Sequence, residues 1–301
     1  MIERETRKGF IMHTVKLDVI DTCPKTDGKD VFLISDNLSG FIERAHLVPQ
    51  DNPNRKQCTE KETWTGKQSY DTALRYARHG DLSGVPASDA FLSRFESLHA
   101  ARPAWARVAD VIGSSAIISA AINGHPLSMR RRVRVASESA PLAVCVDLVS
   151  SGGIDAKILR KRGALILALV RALSALRPVE LWCGGSSLPF DQEDTFHVWW
   201  RMDTSPLDLA RAAHVMTSPA FSRGLLYGVV SDAAKSFGGL RWPYNNHHWS
   251  RANMRPVLSR VIGSGDMLCI AAPHAADRLV DEPEAWFSDM LKQYGGLDDE
   301  A

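Results

Sequence analysis

The sequence predicts an α/β protein in which an N-terminal α+β region, residues 1–136, packs on a C-terminal domain, residues 137–301, with a mostly parallel central sheet. Three observations carry this. After Pro141 the chain alternates strand-like and helix-like stretches. The run LAVCVDLV is continuously apolar, as a strand buried on both faces must be. A long helical stretch, DAKILRKRGALILALVRALSALR, follows directly and becomes almost wholly apolar after Gly163, which implies that it is mostly buried.

In chain order, FIMHTVKLDVI and DVFLISD flank the turn-rich TCPKTDGK and are expected to pair within a small β meander over residues 9–48. HLVPQDNPNRKQCTEKET has no periodicity and reads as a linker. Helices are expected across residues 69–123. Ser69 caps the first and Gly80 stops it. Ser88 caps the second, whose stripe is Phe91, Leu92, Phe95 and Leu98. ADVIGSSAIISAAINGHPLSM is rich in small apolar residues and is expected to pack closely against a neighbour, ending at the Asn123–Pro126 turn. The basic run that follows reads as an edge strand. In the second region, PVELWCGG, TFHVWWRMD and MLCIAAPH are further strands, the second antiparallel to the first. PLDLARAAHVMTS, AFSRGLLYGVVSDAAKSF and EPEAWFSDMLKQYGG are helices.

The chain has 301 residues, 45% of them hydrophobic and 24% charged, with a formal net charge of +1. No global field draws it to nucleic acid or anionic lipid, so any such partner must be met by a local patch. Cys23, Cys58, Cys145, Cys183 and Cys269 show no C-x-x-C spacing, and three of them sit in strand-like runs. They read as reduced core residues. The opening MIERETRKGF is too charged for a signal peptide, and no apolar span approaches membrane length. The expectation is a cytoplasmic protein with no membrane partner.

The order strand, long helix, strand, antiparallel strand, helices, strand, helix resembles that of a von Willebrand A-type domain across residues 141–296. Asp147–Ser151 stands where that family carries its Asp-x-Ser-x-Ser metal motif. The resemblance implies Asp147 as first ligand, Ser151 as the last from the first loop, and Thr217 from a second loop, holding Mg²⁺. The motif is degenerate, because Val149 replaces one hydroxyl and the strand MLCIAAPH ends without the final Asp, although Asp277 lies a few residues on. The competing reading, read from the residues, has Asp147, Ser150 and Ser151 capping the following helix. It is the one expected, with no cofactor.

A second resemblance covers more of the chain. Trp64 and Gly66, Gly124 and Pro126, and Arg162 and Gly163 fall on a Trp-x-Gly, Gly-x-Pro and Arg-Gly pattern similar to a family of uncharacterised bacteriophage proteins. It implies a phage or prophage origin, hence the host cytoplasm, and no activity.

Two other stretches hold chemistry. RWPYNNHHWSRANMRP, residues 241–256, combines aromatics, two His and three Arg. It would either stack bases and contact phosphates or pack Trp242 and Trp249 on the end of the sheet. The adjacent His247 and His248 make a poor metal pair. Arg130, Arg131, Arg132 and Arg134 form either a phosphate-binding stripe or a solvated edge. No G-x-S-x-G, P-loop, H-E-x-x-H or G-x-G-x-x-G is present, so no catalytic residue is singled out.

Ligands of open α/β sheets gather at the carboxyl ends of the strands. The leading expectation is therefore a non-enzymatic module binding a phage or host protein through Asp147, Ser150, Ser151, Thr217, Trp242, Tyr244, His247, His248 and Trp249. Its rival is a nucleic-acid-binding protein using Arg130, Arg131, Arg132, Arg134, Arg241, Arg251 and Arg255. A hydrolase with a site hidden from sequence is a third reading, and oligomeric state is not legible.

Overall fold

The structure is a computed structural model that describes residues 2–7, 10–16, 29–58, 62–96, 105–112, 114–134, 141–150, 152–187, 195–204, 206–236, 255, 258–259, 262–263, 265–273 and 277–295. Strands are β1 (Ile2–Arg7), β2 (Phe10–Lys16), β3 (Lys29–Ser35), β4 (Trp105–Asp110), β5 (Ser115–Ala116), β6 (Met129–Arg134), β7 (Leu142–Asp147), β8 (Val179–Ser187), β9 (Thr195–Met202) and β10 (Asp266–Ile270). Helices are α1 (Leu38–His46), α2 (Pro53–Gln57), α3 (Glu62–Thr65), α4 (Tyr70–His79), α5 (Val85–Glu96), α6 (Ile118–Ile122), α7 (Ala156–Leu176), α8 (Leu209–Thr217), α9 (Tyr227–Ser236), α10 (Arg278–Asp281) and α11 (Pro283–Tyr294). A 3₁₀ turn, Leu82–Gly84, precedes α5, and a π-helical segment, Phe221–Leu226, leads into α9.

The fold is α/β. Its main sheet has the order β1-β2-β3-β9-β8-β7-β10. Within the central five strands, β3–β9, β8–β7 and β7–β10 are parallel, and only β9–β8 is antiparallel. The N-terminal hairpin adds two antiparallel strands, so the sheet runs on from the first region into the second through β3 and β9.

β7 is buried on both faces, as its unbroken apolar run requires. Leu142, Val144 and Val146 point into the larger core, with α1, α4, α7, α8, α9 and α11 around it. Ala143 and Cys145 point into a smaller one with Trp182, Trp199, Met267 and Leu258. In α7 every residue from Arg162 to Val170 is buried. Gly163 is required there, because a Cβ would strike the Met216 carbonyl of α8. Among the described residues, no helix is long and apolar enough to cross a membrane.

Several elements differ from expectation. Within the span read as meander, residues 38–46 are a helix, capped by Asn37 accepting from the Gly40 N–H at 2.9 Å. The stretch read as a linker holds α2, because buried Asn52 caps it and bonds to Ser231 at 2.9 Å. Ser69 and Gly80 bound α4 as expected. Ser88, however, lies inside α5, which starts at Val85 behind a turn capped by Asp81. Leu98 lies outside the described residues. Residues 105–134, expected in part as helix, fold as a second sheet of order β4-β6-β5 with α6 between β5 and β6. The basic strand β6 is therefore the middle strand, although β5 covers only its first two residues.

Candidate functional site

The loop after β7 is built from the inside. Asp147 is 1% exposed, and its Oδ1 accepts the Val149 N–H at 2.8 Å, closing a two-residue side-chain turn. It does not cap α7. That cap is Asp155, whose Oδ1 accepts the Lys157 N–H at 2.7 Å. The expectation that Asp147 caps the helix is thus corrected. Its own backbone ends in a strand eight residues short of the helix, and only a residue adjacent to the first turn can reach those N–H groups.

Ser150, also 1% exposed, is held twice by the segment that begins α9. Its N–H donates to Tyr227 Oη at 3.0 Å, and the tyrosine hydroxyl donates to the Ser150 carbonyl. Arg223, 1% exposed, sends Nε to Ser150 Oγ at 3.1 Å and Nη1 to the Trp64 carbonyl at 2.9 Å. A third donation goes to the Ile154 carbonyl. The guanidinium lies on the Trp64 ring, 4.3 Å from its centroid. Gly152 passes under the same indole, where a Cβ would touch the ring. The Gly66 carbonyl accepts from Arg160 at 2.9 Å, and this glycine holds φ of 63°, a left-handed conformation that disfavours side chains. The Trp-x-Gly pair is therefore one wall of this loop.

On the other side, Arg162 Nε bonds Asp277 Oδ2 at 2.9 Å, and its Nη2 donates to the Ala271 carbonyl beyond β10. Burial pushes the Asp147 carboxyl up to about 7. The Val149 N–H and the Arg162 charge oppose that push. Two carboxylates thus flank one buried guanidinium. A cation of the protein's own already stands within electrostatic reach of the acids that a metal would need. Thr217 is not shown with them: its hydroxyl bonds back to the Ala213 carbonyl at 2.8 Å, and it lines a cavity of about 180 Å³ with Gln68, Asp81, Gly84 and Arg160. Among the described residues, no group of three or more His, Cys, Asp or Glu could hold a metal ion.

At that cavity, buried His214 faces Asp81 across 3.9 Å and bonds the Ala73 carbonyl through Nε2 at 3.0 Å. The imidazole, with the Ser83 N–H and hydroxyl, holds Asp81 below the usual carboxylate range. Sequence alone marks neither residue, since their pairing joins the end of α4 to α8.

The arm formed by β4, β5, α6 and β6 is the opposite kind of surface. None of its residues from 109 to 131 whose burial is described is buried. Val111, Ile112, Ile118 and Ile122 are each more than half exposed. This corrects the expectation that the small apolar stretch packs against a neighbour: it spends its residues on a turn, a two-residue strand and a one-turn helix that no core covers. Gly124 holds φ of 66° with open space around it, setting up the turn before Pro126. Arg130 and Arg131 are exposed, and Arg131 pairs with Asp110 at 3.1 Å. The register makes Arg107 the cross-strand neighbour of Arg132, and Trp105 that of Arg134.

Of the other sequence candidates, Arg255 is exposed and near Cys269. Ser151, Arg241, Trp242, Tyr244, His247, His248, Trp249 and Arg251 lie outside the described residues.

A family profile matches residues 21–251, well over half of the chain. The chain belongs to that family, a domain of unknown function (DUF7192). No curated protein and no solved structure matches it. The DUF7192 span takes in Trp64, the arm, the β7 loop and Arg223. Strand β10, Asp277 and α11 lie beyond it.

Proposed function

We propose that this DUF7192 protein binds nucleic acid through the arginine-bearing face of its arm. The observation that carries the reading is the register of β4 on β6. Alternate positions of a strand share a face, so positions 130, 132 and 134 share one, joined across the ladder by positions 107 and 105. Four arginines and a tryptophan occupy those positions. Positions 107 and 132 are direct partners in the register, both arginine in sequence, and like charges at opposed positions destabilise a sheet unless an anion bridges them. A phosphate backbone supplies such an anion, and an indole supplies a surface for base stacking.

The protein-binding reading keeps one specific support. The order β9-β8-β7-β10 with β9 antiparallel is the strand arrangement expected of an A-type-like domain, and the Trp-x-Gly, Gly-x-Pro and Arg-Gly pattern favours a phage origin. Yet Asp147, Ser150 and Thr217 are buried and engaged within the chain. A phage or host protein would meet other residues of that edge.

Fluorescence anisotropy with single- and double-stranded oligonucleotides, at low and high salt, tests the reading. Binding should weaken as salt rises, with a slope of roughly 0.7–0.9 per phosphate contacted. Absence of binding at low salt sinks it. Affinity purification from cells with and without nuclease then separates the two readings: a protein partner that survives nuclease supports the second.

A further inference from the structure

The second face of the sheet holds a feature that the proposed function does not use. Cys145 of β7 and Cys269 of β10 are direct register partners on adjacent parallel strands. Neighbouring strands lie about 4.8 Å apart, inside the roughly 4.4–6.8 Å between Cα atoms that a disulfide spans. Both residues belong to the smaller core, beside Trp182, Trp199 and Met267. They differ in access. Cys145 is fully buried, whereas Cys269 is half-buried and lines a cavity of about 330 Å³ with Arg162, Arg278, Trp286 and Tyr294.

We propose that Cys145 and Cys269 form a reversible thiol–disulfide pair, with Cys269 as the attacking thiol and hydrogen peroxide as the oxidant. As register partners, the two thiols stand next to each other. Their interaction raises the Cys145 thiol above the usual range and lowers that of Cys269, with the Arg255 charge helping. Burial acts the other way on the remaining described cysteines: it pushes Cys58 up to about 12 and raises Cys183 further.

The Cys269 sulfur attacks one peroxide oxygen and the O–O bond breaks. The departing hydroxide takes a proton and leaves as water, with a sulfenic acid on Cys269. Cys145 then loses its proton to the sulfenic hydroxyl and attacks the Cys269 sulfur, which releases a second water. Two thiols and one hydrogen peroxide give one disulfide and two waters, and an added dithiol reverses the change. The bond would join β7 to β10 just before their ends meet at Asp147, Ala271 and Arg162.

The test treats the folded full chain with a few equivalents of hydrogen peroxide, alkylates free thiols, digests, and maps the peptides by mass spectrometry. A linked Cys145–Cys269 peptide that disappears with dithiothreitol is expected, with Cys58 and Cys183 alkylated only after unfolding. In Cys145→Ala, a dimedone adduct should accumulate on Cys269. Cys269→Ala should give neither product. The proposal is overturned if wild-type Cys269 oxidises while Cys145 stays a free thiol. It is equally overturned if Cys269 bonds Cys23 instead, or if neither thiol reacts under conditions that oxidise free cysteine. The wild-type map decides even where a variant fails to fold.

Discussion

The loop after β7 and the arm formed by β4, β5, α6 and β6 invite comparison, because arginines held on regular elements stand at both. Around the loop, Arg162 of α7 and Arg223 of the π-helical segment are inside the protein, with every donor described directed at a carbonyl, a hydroxyl or Asp277. In the arm, Arg130 and Arg131 stand in solvent beside uncovered isoleucines. The same side chain does different work in the two places. Buried, it fixes a backbone that has no regular structure of its own. Exposed, it contributes little to stability and is available to an anion.

That contrast can be broken by mutation. The largest loss should come from Arg223→Met, which removes the donors to Ser150, Trp64 and Ile154 together and leaves their acceptors unpaired in the interior. A loss of about 3–5 kcal/mol is expected, read as a fall in the urea midpoint. Arg162→Met should cost nearly as much, since it strands Asp277 beside an already buried Asp147.

Asp147→Asn should act with the opposite sign. In the unfolded chain this carboxyl titrates near 3.8, and in the fold near 7. Between those values the folded state holds the extra proton, so wild-type stability falls as pH rises from about 4 to 7 and is level above. The amide keeps an acceptor for the Val149 N–H and carries no charge. It should stabilise the protein at pH 8 by about 1–3 kcal/mol and flatten this part of the profile. An unchanged slope in melting temperature against pH would show that Asp147 is ionised in the fold.

Smaller still, Ile118→Ser with Ile122→Ser should change stability by less than about 0.5 kcal/mol, because neither side chain is packed. A large drop in thermal denaturation would mean that the arm is covered in solution. The combined Arg130→Ala, Arg132→Ala and Arg134→Ala variant should leave stability the same or raise it by a few tenths of a kcal/mol, about the size of one relieved like-charge pair, because it removes the charge opposed to position 107. It should also lower the salt slope of nucleic-acid binding by roughly 2–3, about 0.7–0.9 for each phosphate no longer neutralised.

Much of the second half is legible from local pattern. The buried β7 and the buried length of α7 follow from their apolar runs, and the antiparallel β9 from the short connection before it. Helix α1 is equally legible: Asn37 precedes Leu38, Phe41, Ile42 and Ala45 at helical spacing, but the strand-like runs beside it favour a meander. The π-helical segment and Arg223 are not. Nothing near Arg223 in sequence marks it as buried, because its partners are at 63–64, 150 and 154 and meet it only after folding. The arm misleads for a physical reason. Small apolar residues normally signal close packing, and here they are left bare. The degenerate acid-and-serine motif correctly marks where a strand ends over a tight loop. It could not reveal that Arg162 reaches the same place from α7.

The parallel pairing of β3 with β9 also sets a timetable for synthesis. The N-terminal hairpin leaves the ribosome early, but the strand that closes its open side is made only after most of the chain. At roughly 5–20 residues per second, β3 waits many seconds with Leu33 and Ile34 unburied and one row of backbone groups unpaired. A nascent chain stalled before Thr195 should therefore engage chaperones or aggregate, and release past Met202 should end that exposure.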